Sequence, residues 1–144
     1  MPDWTDGILE TAIYAPDLDA AERFYGDVLG LAKITRHANR HVFYRAGQGV
    51  LLIFNPAETE QPPESGALPV PTHGARGPGH VCFRVRADVL DALGAHLAAC
   101  GQIIEADFLW PNGARSIYLR DPAGNSVEFA GPELWPPAEK GADS

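Results

Sequence analysis

Cysteine is nearly absent: Cys82 and Cys100 are the only two in 144 residues. Two thiols build no disulfide framework, so a reducing cytoplasm is the default compartment. Basic residues are also scarce. Eleven Lys and Arg stand against nineteen Asp and Glu, a formal charge of −8. That balance excludes the basic footprint a nucleic acid or an anionic membrane would require. No apolar run approaches the roughly eighteen residues of a spanning helix, and neither a basic nor an apolar stretch follows Met1-Pro2-Asp3-Trp4, as a secretory signal would need. Walker loop, dinucleotide fingerprint, nucleophile elbow and zinc-finger spacing are all missing. Apolar residues are not: at 45% of the chain they suffice for the core of one ordinary domain.

What the chain does contain is a repeat. Ile8 to Ala15 leads through Pro16-Asp17-Leu18 into a helical pattern that stops at Gly30; Gly79-His80-Val81 leads through Ala87-Asp88-Val89 into a second that stops at Gly101. Glu10 to His80 is 70 residues and Gly30 to Gly101 is 71, so strand and helix recur at nearly one offset, as two copies of one supersecondary unit would. Asp17 is a good N-cap and both glycines sit where helices end. In the first copy, strands are expected at 32–37, 41–45 and 50–54, the last two joined by Ala46-Gly47-Gln48-Gly49. In the second, a strand at 80–85 and a helix at 88–100 precede strands at 102–108, 115–120 and 126–130, with Asp121-Pro122-Ala123-Gly124-Asn125 as the turn. Each half is βαβββ. The expected organisation is a first module at 8–54, a linker or mobile loop at 55–78, a second module at 79–131 and a tail at 132–144. Residues 55–79 carry six prolines, four glycines and no periodicity. A structureless stretch that long inside a compact domain is often functional.

Side chains alternate along a strand, which assigns faces by parity. Glu10 shares a face with Ala12 and Tyr14, His80 with Cys82 and Arg84, and Glu128 with Ser126. All three lie opposite the helix-facing apolar residues. Three strands therefore offer a carboxylate or an imidazole on the face turned away from the helices.

With its Pro16-Asp17-Leu18 turn, Phe24-Tyr25-x-x-Val28-Leu29-Gly30-Leu31, Gly79-His80-Val81 and Asp121-Pro122-x-Gly124-Asn125-x-Val127-Glu128, the chain resembles the vicinal oxygen chelate superfamily over about residues 8 to 131. That superfamily includes glyoxalase I, bleomycin resistance proteins, fosfomycin resistance enzymes and extradiol dioxygenases. The resemblance implies an α+β fold of two βαβββ modules forming a half-open barrel, with helices on the outer face and one divalent metal on the concave face. The implied ligands are Glu10, His80 and Glu128. The first position usually holds histidine, and the fourth falls at Leu51 or Leu52, which cannot ligate. Three protein ligands leave an open catalytic site, and two carboxylates with one imidazole suit Mn, Ni, Zn, Fe or Mg.

The function this implies is a cytoplasmic, metal-dependent enzyme of glyoxalase-like lyase or isomerase type that chelates a small-molecule substrate. Glu10 and Glu128 are its candidate catalytic groups. His73, Cys82, Trp110 and Arg120 are candidate substrate contacts. Arg115 falls on the other face by parity, and His73 also reads as a solvated loop histidine. A homodimer is expected, because pairing between subunits covers exposed strand edges. Two rival readings remain: a metal-free, bleomycin-resistance-like protein that sequesters a drug or metabolite, and an extradiol-type dioxygenase.

Overall fold

In a computed structural model that describes residues 2–137, the chain is α+β, with two four-stranded mixed sheets. Strand β1 (Glu10–Tyr14) leads into helix α1 (Leu18–Glu22) and a π-helical segment (Arg23–Val28). Strands β2 (Lys33–His37), β3 (His41–Ala46) and β4 (Gly49–Phe54) complete the first sheet in the order β1-β4-β3-β2. A short helix, α2 (Pro56–Thr59), interrupts the following loop. Strand β5 (His80–Arg84), helix α3 (Leu90–Ala99) and strands β6 (Ala106–Leu109), β7 (Arg115–Arg120) and β8 (Ser126–Ala130) build the second half, with sheet order β5-β8-β7-β6.

The repeat read from the sequence reappears in the hydrogen bonding. β1 runs parallel to β4, with Glu10 opposite Val50 and Tyr14 opposite Phe54. Beyond this pairing the Ala15 N–H donates to the Phe54 carbonyl at 2.9 Å. In the second sheet the Val85 N–H donates to the Ala130 carbonyl at 2.8 Å, and the Ser126 N–H to the Gly79 carbonyl at 2.9 Å. Ala130 therefore corresponds to Phe54, and Glu128 to Leu52. The ligand position left at Leu51 or Leu52 is Leu52, an apolar side chain only 7% exposed. Gly30 and Gly101 end their helices with φ of 74° and 78°, a left-handed conformation that glycine takes without steric cost.

The chain divides into two compact units, residues 10–81 with 120–127, and residues 82–119 with the described parts of 1–9 and 128–144. In the first, Asp17 caps α1 by accepting from the Ala20 N–H at 3.0 Å. Leu18, Ala21, Phe24 and Tyr25 are buried, as are Ile13, Val42, Tyr44, Leu51 and Ile53 on one parity of β1, β3 and β4. In the second, Leu90 and Leu97 of α3 are buried, Leu93 is half-buried, and Ile117 packs 3.7 Å from where a Cβ on Gly94 would sit.

Four sequence expectations change in detail. After Glu22 the first helix becomes a π-helix, closed by the Leu29 N–H on the Phe24 carbonyl at 2.9 Å. The sixth strand begins at Ala106 rather than Gln102, and the Glu105 N–H reaches the Tyr118 carbonyl at 2.8 Å just before it. Cys100, read as part of an apolar helix face, is exposed. The loop after Phe54 is not structureless: Asn55 caps α2, and the His73 N–H donates to the Thr59 carbonyl at 3.0 Å, which folds the loop back on its own start.

The turn 121–125 is a buried polar knot. Asp121 Oδ1 accepts the backbone N–H groups of Ala123 and Asn125, both at 2.9 Å. Its Oδ2 accepts the Tyr25 hydroxyl at 2.7 Å and the Asn125 amide at 2.9 Å. Asn125 Nδ2 also donates to the Tyr14 carbonyl at 3.0 Å, and Asn125 Oδ1 accepts the Gly79 N–H at 2.8 Å. Burial, reinforced by Asp121, holds the Tyr25 phenol well above its ordinary pKa, so it stays a donor. Tyr25→Phe should cost about 1–2 kcal/mol, and Asp121→Ala, which strands four donors, more than about 3 kcal/mol. Chemical denaturation measures both; an Asp121→Ala variant as stable as the parent would remove the knot from its structural role.

Candidate functional site

The second unit concentrates its polar side chains on Glu128. The parity of β8 turns Glu128 away from Val127 and Phe129, and the carboxylate is only 4% exposed. On β7, Ser116 and Tyr118 share one face. Ser116 Oγ donates to Glu128 Oε2 at 2.6 Å, and Trp110 Nε1 donates to Ser116 Oγ at 2.7 Å. With the indole N–H occupying the hydroxyl oxygen, the hydroxyl proton is directed at Glu128. Tyr118 also hydrogen-bonds the Glu128 carboxylate, and Cys82 lies within its electrostatic reach while its thiol donates to the Phe83 carbonyl at 3.8 Å. Cys82 keeps solvent contact, yet partial burial, followed by the charge of Glu128, pushes its thiol up to about 12. Tyr118 is likewise pushed up to about 12, by burial first and then by Glu128. Both are protonated donors at neutral pH, and Cys82 is no thiolate nucleophile. β6 closes the patch on its far side, where Phe108 stacks on Tyr118 with ring centroids 5.8 Å apart and meets Trp110 edge-on at 4.9 Å.

The first unit carries the other candidates. Glu10 opens β1 and is exposed. His80 opens β5, also exposed, with Nδ1 3.1 Å from the Ser126 carbonyl and 3.2 Å from Ser126 Oγ. A proton on Nδ1 donated to that carbonyl leaves Nε2 as the basic nitrogen, the tautomer a metal-binding histidine uses. His73 is seated rather than solvated. Its Nδ1 lies 2.7 Å from the Tyr14 hydroxyl, and its ring meets Phe54 edge-on at 4.6 Å. The cross-strand register continues this aromatic wall: His41 lies opposite Phe54, and its ring stacks on Phe43 at 4.1 Å. Burial, then the charges of Arg40 and His37, lower the His41 pKa to about 4, which keeps its imidazole neutral at pH 7. Arg120 is exposed and donates to the Gly124 carbonyl at 3.2 Å. Arg115 lies on the other face of β7, paired with Asp107 at 2.8 Å and with Asp91.

Glu128, Cys82 and Trp110 are thus brought together, joined by Ser116 and Tyr118. The expected ligands Glu10 and His80 belong to one compact unit and Glu128 to the other. Among the described residues no three His, Cys, Asp or Glu side chains are grouped as a metal ion would need. The donor chemistry of the three suits a hard divalent ion. Tyr14, Ser116 and Tyr118 escaped selection from sequence, although parity had already put Tyr14 on the face of Glu10 and Tyr118 on that of Arg120.

Residues 7–129 match the model of the Glyoxalase/Bleomycin resistance protein/Dioxygenase superfamily. The chain belongs to this superfamily. A crystal structure of lactoylglutathione lyase from Agrobacterium tumefaciens is 42% identical, with a TM-score of 0.86 over 92% of this chain and 98% of that one. The virulence protein STM3117 of Salmonella typhimurium strain LT2 is 30% identical over 87% of this chain and 83% of its own length. A glyoxalase family protein from Bacillus anthracis, 21% identical with a TM-score of 0.66 over 91% of this chain and 98% of that one, shares the fold. Superfamily members typically use a divalent metal and act on small molecules. No helix among the described residues is long and apolar enough to cross a membrane.

The charge of Glu128 opposes a second negative charge on Cys82, so its removal should lower the thiol pKa. In a Cys100→Ser background, Glu128→Gln is expected to speed alkylation of Cys82 by iodoacetamide at pH 8.5 several-fold. Equal rates would show that burial alone sets the thiol.

Proposed function

We propose that the chain is a small-molecule enzyme of the vicinal oxygen chelate type, with lyase or isomerase chemistry and Glu128 as its proton-transfer group. The observation that carries this reading is the Trp110–Ser116–Glu128 chain, at 2.7 and 2.6 Å. It holds one carboxylate oxygen fixed on the inward parity of the last strand. A general base must be held within hydrogen-bond reach of the proton it takes, and such fixation supplies that. Tyr118, protonated and hydrogen-bonded to Glu128, can turn its O–H to an oxygen that gains charge once Glu128 has taken the proton. The Tyr14–His73 pair and Phe54 form an aromatic wall able to pack against a substrate and exclude water. The 42% identity to a lactoylglutathione lyase makes thioester lyase chemistry the first to assay.

Metal dependence belongs to the same proposal. Glu10, His80 and Glu128 would hold a divalent ion, and the ion would supply Lewis-acid polarisation of two adjacent substrate oxygens. The His80 tautomer set by Ser126 supports this. A second reading, a metal-free sequestering protein, draws support from the apolar Leu52 at the fourth position and from a Glu128 carboxylate already engaged by Ser116 and Tyr118. An extradiol-type dioxygenase draws no comparable support. We further propose a cytoplasmic homodimer, in keeping with the exposed Ile8 (85%), Leu9 (78%) and Leu109 (68%). Light scattering should then give twice the 15.5 kDa chain mass.

Elemental analysis and calorimetry with Mn, Ni, Zn, Fe and Mg should find one divalent ion per chain, lost in His80→Ala. Assay with lactoylglutathione should show turnover that Glu128→Gln lowers by about 10²-fold or more, with the circular dichroism unchanged. Saturable ligand binding without metal or turnover would favour the sequestering reading instead.

A further inference from the structure

On the helix side of the first sheet lies a cleft of about 400 Å³, between α1 with its π-helical continuation and strands β2 and β3. Asp19, Glu22, Gly26, Asp27, Leu31 and Tyr44 are among its lining residues. The cleft lies wholly within one compact unit, on the opposite parity from Glu10, Tyr14 and Phe54. The proposed chemistry makes no use of it.

Its carboxylates are not equivalent. Asp19 and Glu22 pair with Arg36, at 2.6 and 3.6 Å, and Glu22 also pairs with Lys33 at 3.4 Å. No described residue pairs with Asp27. Beneath it lies Tyr44, only 1% exposed, whose hydroxyl has no hydrogen-bond partner among the described residues. The phenol ring is buried while its oxygen faces the cleft, so a ligand there can hydrogen-bond to it directly. Gly26 keeps the oxygen reachable, since a Cβ there would stand 3.3 Å from Tyr44 Oη. The backbone is unusual at the same point. Gly26 and Asp27 lie within the π-helical segment Arg23–Val28, and such segments are frequently found at functional sites.

The geometry points to a second ligand site here, for a short aliphatic amine. Its ammonium group would lie on Asp27 and donate to Tyr44 Oη, and its methylenes would lie along Leu31. An ammonium is three donors and no acceptor, which matches an unpaired carboxylate beside an unpartnered phenol oxygen. Burial, with Glu22 and Asp27 adding, pushes the Tyr44 phenol up to about 12, so the oxygen meets the ammonium as a neutral phenol. The acidic balance of the whole chain favours approach of a cation.

The test titrates the full ¹⁵N-labelled chain with 1,4-diaminobutane at low ionic strength, with magnesium chloride as a second arm. We expect saturable shifts centred on the amides of Gly26, Asp27 and Lys33. Affinity should fall about tenfold or more in Tyr44→Phe and in Asp27→Asn, as for loss of a charge-assisted hydrogen bond. Gly26→Ala should weaken binding to a similar degree. Alanine is the better helix former, so this variant should lose the ligand without losing stability. Glu58→Gln, an acid removed from α2, should bind as the parent does. Unsaturable shifts spread over many carboxylates, equal binding in Tyr44→Phe, or a site that takes magnesium as well as the diamine would each overturn the proposal.

Discussion

The polar knot at residues 121–125 is the constraint on which the rest of the first unit depends. An ionised carboxylate only accepts hydrogen bonds, and a primary amide both donates and accepts. Asp121 therefore gathers backbone and side-chain donors around itself, while Asn125 reaches outward to the end of β1 and the start of β5. Together they fasten both strands and the Tyr25 turn of the π-helix to one hairpin. No buried side-chain nitrogen or oxygen among the described residues lacks a partner, so burying this knot leaves no polar debt. The Tyr44 hydroxyl faces the cleft rather than a sealed interior. Strand β8 starts at Ser126, immediately after the knot, so the turn also sets where Glu128 falls along the strand.

The chain uses two buried carboxylates in different ways. Asp121 is closed by backbone N–H groups as well as by side chains, and backbone donors cannot rotate away. Glu128 is met by a hydroxyl and a phenol, each on a side chain with torsional freedom. The first arrangement suits structure. The second is one that can rearrange around a bound molecule, and for that reason the proposed chemistry rests on Glu128. Burial, with the charge of Glu128 added to it, keeps both Cys82 and Tyr118 protonated.

Much of the architecture was legible in the sequence because it rests on local rules. The two-fold repeat, the Asp17 cap, the glycine stops and the strands of the first module follow from periodicity and turn chemistry, and β7 and β8 match their expected bounds. The π-helix was not legible. Leu18, Ala21, Tyr25 and Val28 satisfy an α-helical spacing, and only burial of Phe24 and Tyr25 against the sheet, with Tyr25 tied to Asp121, accompanies the wider turn. β6 was drawn too long because Ile103 and Ile104 are strand-like residues, whereas the Gln102 N–H turns back to the Leu97 carbonyl and only the Glu105 N–H reaches β7. In the loop, Asn55 and Pro56 are helix-start signals that the surrounding prolines obscured.

Pleat parity by itself determined which residues share a face: Glu10 with Tyr14, His80 with Cys82, Tyr118 with Arg120. That is a property of one strand and needs no partner. Which of those residues meet was decided only by tertiary structure, because contact depends on register between strands and on side-chain reach. Register put Ser116 beside Glu128 and Trp110 behind it, and it turned Arg115 to a surface ion pair. Loop closure onto Thr59 brought His73 to Tyr14 and Phe54 across 59 residues of chain. Sequence alone could name the carboxylates and imidazoles of this protein, but not the hydrogen-bond donors that hold them, since a donor is chosen by distance and distance belongs to the fold.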